Sequence, residues 1–474
     1  MAPQPPKAAQ LDARAQGFQA IIERERGLQR RLGSARLTMI AIGGAIGTGL
    51  FLGSAFAIGL AGPAVLVSYS IGALIALLLM GCLAEMTIAH PTSGSFGAYA
   101  EYYLGPLAGF LVRYAYWSCI VLAVGTEVTA IALYMRFWFP AVAGIWWILG
   151  FSALLLLVNA RSVDIFGTVE YWFSATKITA ILIFIVLATY LLWRSPGGAS
   201  AGVRNYTAFG GFFAHGLWGA WVAVIVAIFS YLSIEMIAVA AGEAQQPQLA
   251  VRRAFRATLV RLIVFYLVSL ALILALVPWP AAGTDESPFV RVMRLLGVPA
   301  AAGIVNFFIL IAALSAMNSQ LYVTTRMMFS LARAGQAPQR FGRLTARGVP
   351  VQALLLSGLG IAFAAAVNAA APRTAYILMV SISAFGAMFT WMMIFVTHFF
   401  FRRARRAEPH GAFRTVGFPV TTILGAGLML AVLVTTAFTA EFRLTLAFGV
   451  PFLAALCVIY WYRNARAPSS VGKS

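Results

Sequence analysis

The chain has 474 residues, 61% of them hydrophobic and 10% charged, with mean hydropathy +0.87 and a formal net charge of +20 at pH 7. That apolar excess excludes an ordinary water-soluble globule and implies an integral membrane protein. The positive charge raises the question of nucleic acid, but the basic residues fall between apolar stretches and form no basic domain, so the expected partner is the lipid bilayer and not nucleic acid.

Residues 1–35 read as a cytoplasmic tail that opens on MAPQPPKAAQ, a disordered composition. Leu11, Ala15, Phe18 and Ile22 then recur at helical spacing among charges, which fits a short helix on the inner membrane surface or a solvated tail. No short apolar region precedes Arg36, so no cleavable signal peptide is expected and the first span directs insertion. Twelve apolar spans follow, near 37–60, 63–89, 106–138, 144–160, 165–193, 216–242, 257–279, 299–331, 350–371, 375–401, 417–438 and 442–462. With the amino terminus inside, inner segments hold 24 Lys and Arg and outer segments seven, a bias that predicts both termini in the cytoplasm of a cell-membrane protein.

The first span contains AIGGAIGTGLF, Ala41 to Phe51, with four glycines in eleven residues. Glycine disfavours a helix interior by about 1 kcal/mol relative to alanine, and unwound backbone is tolerated in a membrane only where it lines a cavity or is buried in protein. Close helix packing would explain Gly43 and Gly47, but Thr48 between two glycines is not needed for it. The sixth span reads AIFSYLSIEMIAVAAGEAQQP, Ala227 to Pro247, with a serine, tyrosine, serine and glutamate at the matching depth. Two interrupted helices suggest two inverted halves, spans 1–5 over 36–193 and spans 6–10 over 216–402. Residues 403–462 then hold spans 11 and 12 with their preceding loop, and 463–474 are a cytoplasmic tail.

A break inside the bilayer presents N–H groups on one side and carbonyls on the other. The N–H groups around Gly47, Thr48 and Gly49 are expected to hold a carboxylate. Carbonyls near Ile42 and Ala45, with those near Phe229 and Ser230, are expected to hold an ammonium. A ligand carrying both groups on one carbon is an α-amino acid. Tyr231 and Ser233 of the second break complete the predicted substrate site, with the Phe229 ring beside the break placed to close over it.

The stretches IAIGGAIGTGLFLGS (Ile40 to Ser54), EMTIAHPTSGSFGAYAEYYLGP (Glu85 to Pro106), GEAQQP (Gly242 to Pro247) and SAMNSQLYVTTRMMFSLARAGQAP (Ser315 to Pro338) resemble the amino acid permeases of the amino acid-polyamine-organocation superfamily, bacterial branch. The resemblance implies an all-α membrane protein of twelve transmembrane helices. It also implies a five-plus-five inverted repeat of the leucine-transporter kind with helices 1 and 6 broken, alternating access and proton-coupled amino acid import. One departure concerns the side-chain pocket, because many members have glycine where this chain has Leu232 and Ser233.

Ionisable groups within spans are costly, by roughly 2.5–3.5 kcal/mol on insertion scales, and so point to function. Lys177 lies deep in span five of a chain whose other lysines are Lys7 and Lys473, and unlike arginine it can lose its proton. The resemblance places it where sodium sits in sodium-coupled relatives, touching carbonyls near Gly43 and the Ser315 hydroxyl; the readings are proton coupling or a permanently charged pin. Glu235 after the second break could transfer a proton or orient the broken helix. Glu85, Glu127 and Glu170 read as partners for arginines or loop amides, Arg326 as an anchor at the cytoplasmic end, and His90, Pro91, Ser93, Gly94 and Tyr99 as part of an inner gate.

Cys82, Cys119, Cys457 and four scattered histidines lack metal-ligand spacing, and no nucleotide motif is visible, so no cofactor and no enzymatic activity are expected. The predicted function is proton symport of an amino acid, neutral or aromatic because Glu235 is the single carboxylate read near the breaks. An amino acid or polyamine exchanger and a non-transporting amino acid sensor are the alternatives. Oligomeric state is not legible.

Overall fold

Long apolar runs without charges have one way to satisfy their backbone in lipid apart from a closed barrel, and this chain takes the helical one. The computed structural model describes residues 17–25, 28, 32–194, 202–245, 247–282, 287–295, 299–371, 374–406 and 413–466. The tail from 1 to 16, Arg373, His410 and residues 467–474 therefore lie outside the described residues.

The helices in chain order begin with α1 (17–24), α2 (Ser34–Ala45), α3 (Thr48–Phe51), α4 (Gly53–Ala61) and α5 (Val65–Ala89). Then come α6 (Ser95–Leu104), α7 (Pro106–Arg136), α8 (Gly144–Arg161), α9 (Val163–Arg194) and a single turn α10 (202–204). The second half holds α11 (Gly216–Tyr231), α12 (Met236–Ala240), α13 (Pro247–Leu276), α14 (Pro288–Arg294) and α15 (Pro299–Arg333). The chain ends with α16 (Val351–Ser357), α17 (Leu359–Ala370), α18 (Ala375–Ala404), α19 (Val420–Thr435) and α20 (Arg443–Arg466). Among the described residues the sole β pairing is an isolated parallel bridge between Leu32 and Ala244.

Among the described residues, ten helices are long and apolar enough to cross a membrane, and two shorter apolar helices lie at 35–51 and 262–276. The protein is a multi-pass membrane protein. Its outer helices show large apolar and aromatic side chains, with Trp146, Trp172 and Trp193 exposed by 67%, 66% and 78%. A soluble surface would not carry so much apolar area, whereas lipid tails accept it. Trp146 and Trp193 sit near helix ends, the depth at which indoles favour the interface. The interior is built around α7, which packs against α15, α17 and α18, while α2 lies among α9, α13 and α15.

One tail expectation is corrected. Residues 17–24 do form a helix, but Phe18 and Ile21 are buried against the protein, so its apolar face packs on protein and is not the free stripe expected. Phe18 stacks on His90 with ring centroids 4.0 Å apart and meets Tyr102 edge-on at 5.4 Å.

Candidate functional site

The glycine-rich span breaks after Ala45. Ile46 turns to φ −87°, ψ 92°, its N–H still bonded to the Ile42 carbonyl, and Gly47 is extended before α3 begins. The sixth span breaks after Tyr231: Leu232 is extended, Ser233 takes a left-handed φ of 79°, and α12 resumes at Met236. A left-handed serine is strained relative to glycine. Leu232 and Ser233 thus mark the very point of interruption.

The two breaks touch. Ser230 Oγ donates to the Gly49 carbonyl at 2.8 Å, and Tyr266 of α13 reaches between them, its hydroxyl 2.9 Å from both the Ala45 and Ser230 carbonyls. Gly49 is required by this approach, since a Cβ there would lie 2.8 Å from Ser230 Cα. Tyr231 turns its ring towards Tyr266 (5.0 Å) and its hydroxyl towards the Tyr69 carbonyl (3.4 Å). Phe229 keeps 7% of its surface exposed, whereas its neighbours Ile228 and Ser230 keep 1% each.

Opposite charges grip the first break from two sides. Lys177 of α9, fully buried, donates from Nζ to the carbonyls of Gly43 (2.5 Å) and Ile46 (2.9 Å). Glu127 of α7 accepts the Thr48 N–H at 3.3 Å, and Gln320 Nε2 reaches the other carboxylate oxygen at 3.5 Å. The Tyr376 hydroxyl closes the Thr48 carbonyl at 3.1 Å. Among the described residues, the N–H groups of Gly47 and Gly49 pair with no backbone carbonyl. The backbone of this break therefore takes an ammonium on its carbonyl side and a carboxylate on its N–H side.

The second break is held by Glu235. Its carboxylate accepts from the Tyr116 hydroxyl (2.6 Å), the Ser233 N–H (3.1 Å) and Trp391 Nε1 (3.1 Å). The Ser233 hydroxyl is buried and finds no hydrogen-bond partner among the described residues.

Several expectations change. Ser315 does not meet Lys177; it donates to Glu170, whose other oxygen accepts Asn318 Nδ2 at 2.8 Å. Glu170 thus pairs with side chains of α15 and with Ser174, not with an arginine or a loop amide. Arg326 is no end anchor: it is buried, donates from Nε to Glu243 at 2.8 Å and lies 3.9 Å over the Tyr322 ring. Glu85 does pair with an arginine and a loop amide as expected, Arg402 (2.8 Å) and the Thr415 N–H (2.8 Å), and also meets His398 (3.1 Å). The single carboxylate read near the breaks becomes more than one, because Glu127 binds the first break directly. Glu127, read from sequence as a partner for an arginine or a loop amide, takes the Thr48 amide of the break itself, whereas Tyr266, Tyr376, Tyr116 and Trp391 were not assigned from sequence. A glutamate in the apolar middle of α7 was the one available signal.

Residues 36–468 match the family profile described as amino acid permease. Three proteins of Bacillus subtilis (strain 168) are each 38% identical to the chain. The uncharacterized amino acid permease YtnA aligns over 95% of this chain and 98% of its own length. The amino-acid permease RocC aligns over 93% and 95%, and the gamma-aminobutyric acid permease over 88% and 90%.

Proposed function

We propose, from the premise that this chain belongs to the amino acid permease family, that it imports an α-amino acid with protons across the cytoplasmic membrane by alternating access. The observation that carries the reading is the first break itself: Thr48 N–H on a carboxylate, Gly43 and Ile46 carbonyls on an ammonium. Those are the two groups that an α-amino acid joins on one carbon. The N–H groups of Gly47 and Gly49 receive the substrate carboxylate, joined by that of Thr48 where the substrate takes the place of Glu127, as helix N-termini receive anions. The carbonyls of Ile42, Ala45, Phe229 and Ser230 face its ammonium, Tyr231 and Ser233 complete the wall, and the Phe229 ring closes over it. Glu127, Glu170 and Glu235 already hold protein donors, so the side chain that fits is neutral or aromatic.

Twelve spans with a five-plus-five inverted repeat supply the machinery, spans 1, 2, 6 and 7 rocking against the others around a site near the midplane. Lys177 bridges α9 to the unwound backbone of the first span. Burial disfavours its ammonium and the carbonyls favour it, so rocking that parts those contacts lets the proton go. Glu235 clamps the second break and is the reserve proton carrier. Both termini lie in the cytoplasm.

The test is uptake into proteoliposomes under an imposed pH gradient. Parent protein concentrates substrate, and Lys177→Met and Lys177→Arg do not, because arginine keeps a charge it cannot release. Parent-like accumulation by Lys177→Arg reduces Lys177 to a pin. Uptake that needs amino acid on both sides identifies an exchanger, and binding with no counterflow identifies a sensor.

A further inference from the structure

On the face assigned to the cytoplasm, Glu25 is 5% exposed at the end of α1, an unusual depth for a carboxylate. It accepts from Thr92 Oγ1 (2.5 Å) and the Gly94 N–H (2.7 Å) in the α5–α6 loop, and from Ser330 Oγ (2.6 Å) on α15. The Arg113 guanidinium of α7, fully buried, lies 3.7 Å away and also reaches Glu101 at 2.6 Å. Arg24 meets the same Glu101 through two bonds of 3.0 and 2.8 Å, and Arg333 Nε donates to the Arg24 carbonyl at 2.7 Å. Gly94 has no room for a side chain, since a Cβ there would stand 2.2 Å from Glu25 Oε1.

We propose that residues 17–25 form a strap that holds the cytoplasmic face shut, with the Glu25 carboxylate as its bolt. The strap leads into the first span, and Leu32 beyond it pairs with Glu243 and Gln245 after the second break (3.0 Å each). Its partners Arg113 and Ser330 belong to α7 and α15, spans that the rocking proposed above leaves in the scaffold. The inference rests on that alternating-access reading: opening towards the cytoplasm has to pull Glu25 out of its pocket. A buried carboxylate stripped of donors is costly. The strap therefore releases as a unit when water reaches it, and does not slacken by degrees.

The experiment uses full-length protein in detergent, with Cys82, Cys119 and Cys457 replaced by alanine and Ala240→Cys as reporter. Ala240 is fully buried on α12, two residues from Gly242, which lies against Ser93 of the strapped loop. Maleimide labelling of the reporter should be faster in Glu25→Gln by about tenfold, the scale of one charge-assisted hydrogen bond, and in Ser330→Ala by about threefold. Folded Glu25→Gln and Ser330→Ala that label at the parent's rate overturn the strap. If Glu25→Gln fails to fold, a parent-like rate in Ser330→Ala alone overturns it. Each of the twenty amino acids is also tested on the parent reporter. Labelling that none of them alters counts against alternating access itself, whatever the two variants do.

Discussion

Gly49→Ala is the most direct perturbation of the contact between the two breaks. The added Cβ would lie 2.8 Å from Ser230 Cα and 3.3 Å from Ser230 N, both backbone atoms that cannot swing aside. Overpacking of this kind costs about 1–3 kcal/mol. Separating the helices also loosens the 2.8 Å bond from Ser230 Oγ to the Gly49 carbonyl, worth about 0.5–1.5 kcal/mol net. Alanine's better helix propensity returns about 1 kcal/mol, so the net loss is about 0.5–3.5 kcal/mol. Gly427→Ala on α19 is the control, because nothing lies within 4 Å of its Cβ; it should gain about 1 kcal/mol. Thermal unfolding of both variants in detergent reads the difference. Gly49→Ala unfolding at or above the temperature of Gly427→Ala would refute the close approach of α3 to α11.

Glu235→Gln puts an amide N–H where the Tyr116 hydroxyl, the Ser233 N–H or Trp391 Nε1 now donates, and should cost about 1–3 kcal/mol; unchanged thermal unfolding would mean that the carboxylate does not hold the second break. Glu101, outside the spans, gives a pH dependence: burial works against its charge, but the hydrogen bond from Arg24 and the guanidinium of Arg113 outweigh it and hold its carboxyl below the usual range. A depressed native pKa makes its contribution complete above the unfolded value, about 4.3, and drains it as pH falls through the native one. Glu101→Gln should therefore flatten the acid side of a stability–pH curve below about pH 4.3, and an acid limb identical to the parent's would contradict the pairing.

The breaks were legible in sequence because unwinding costs something visible. Four glycines in eleven residues of one span, and two serines, a tyrosine and a glutamate within another, do not belong in a plain lipid-facing helix. Lys177 was legible for the same reason, as a charge too deep to reach water. What grips the breaks was not. Glu127 meets Thr48 across 79 residues, Tyr266 meets Ala45 across 221 and Tyr376 meets Thr48 across 328. A tyrosine in an apolar span reads alike whether it faces lipid or caps a carbonyl, and only the packing of α7, α13 and α18 distinguishes the two. The tail misled differently: the stripe through Phe18 and Ile22 is too short to say which apolar surface it covers, and protein covered it. Arg326, read as an anchor at the cytoplasmic end, ends buried against Glu243, and Arg113, one of the inner positive charges that set topology, ends buried against Glu101.

The central claim is that the N–H side of the first break holds the substrate's carboxylate. Screening the twenty amino acids for thermal stabilisation of the purified protein identifies the strongest ligand. Its decarboxylated amine and its carboxamide, which keep the ammonium and side chain but lack the anion, are then competed against it on parent protein and Gly49→Val. The account predicts that the amino acid displaces itself, that neither analogue competes, and that Gly49→Val binds none of the three while still reaching the membrane. Equal competition by the amine, or unchanged affinity in Gly49→Val, would contradict it.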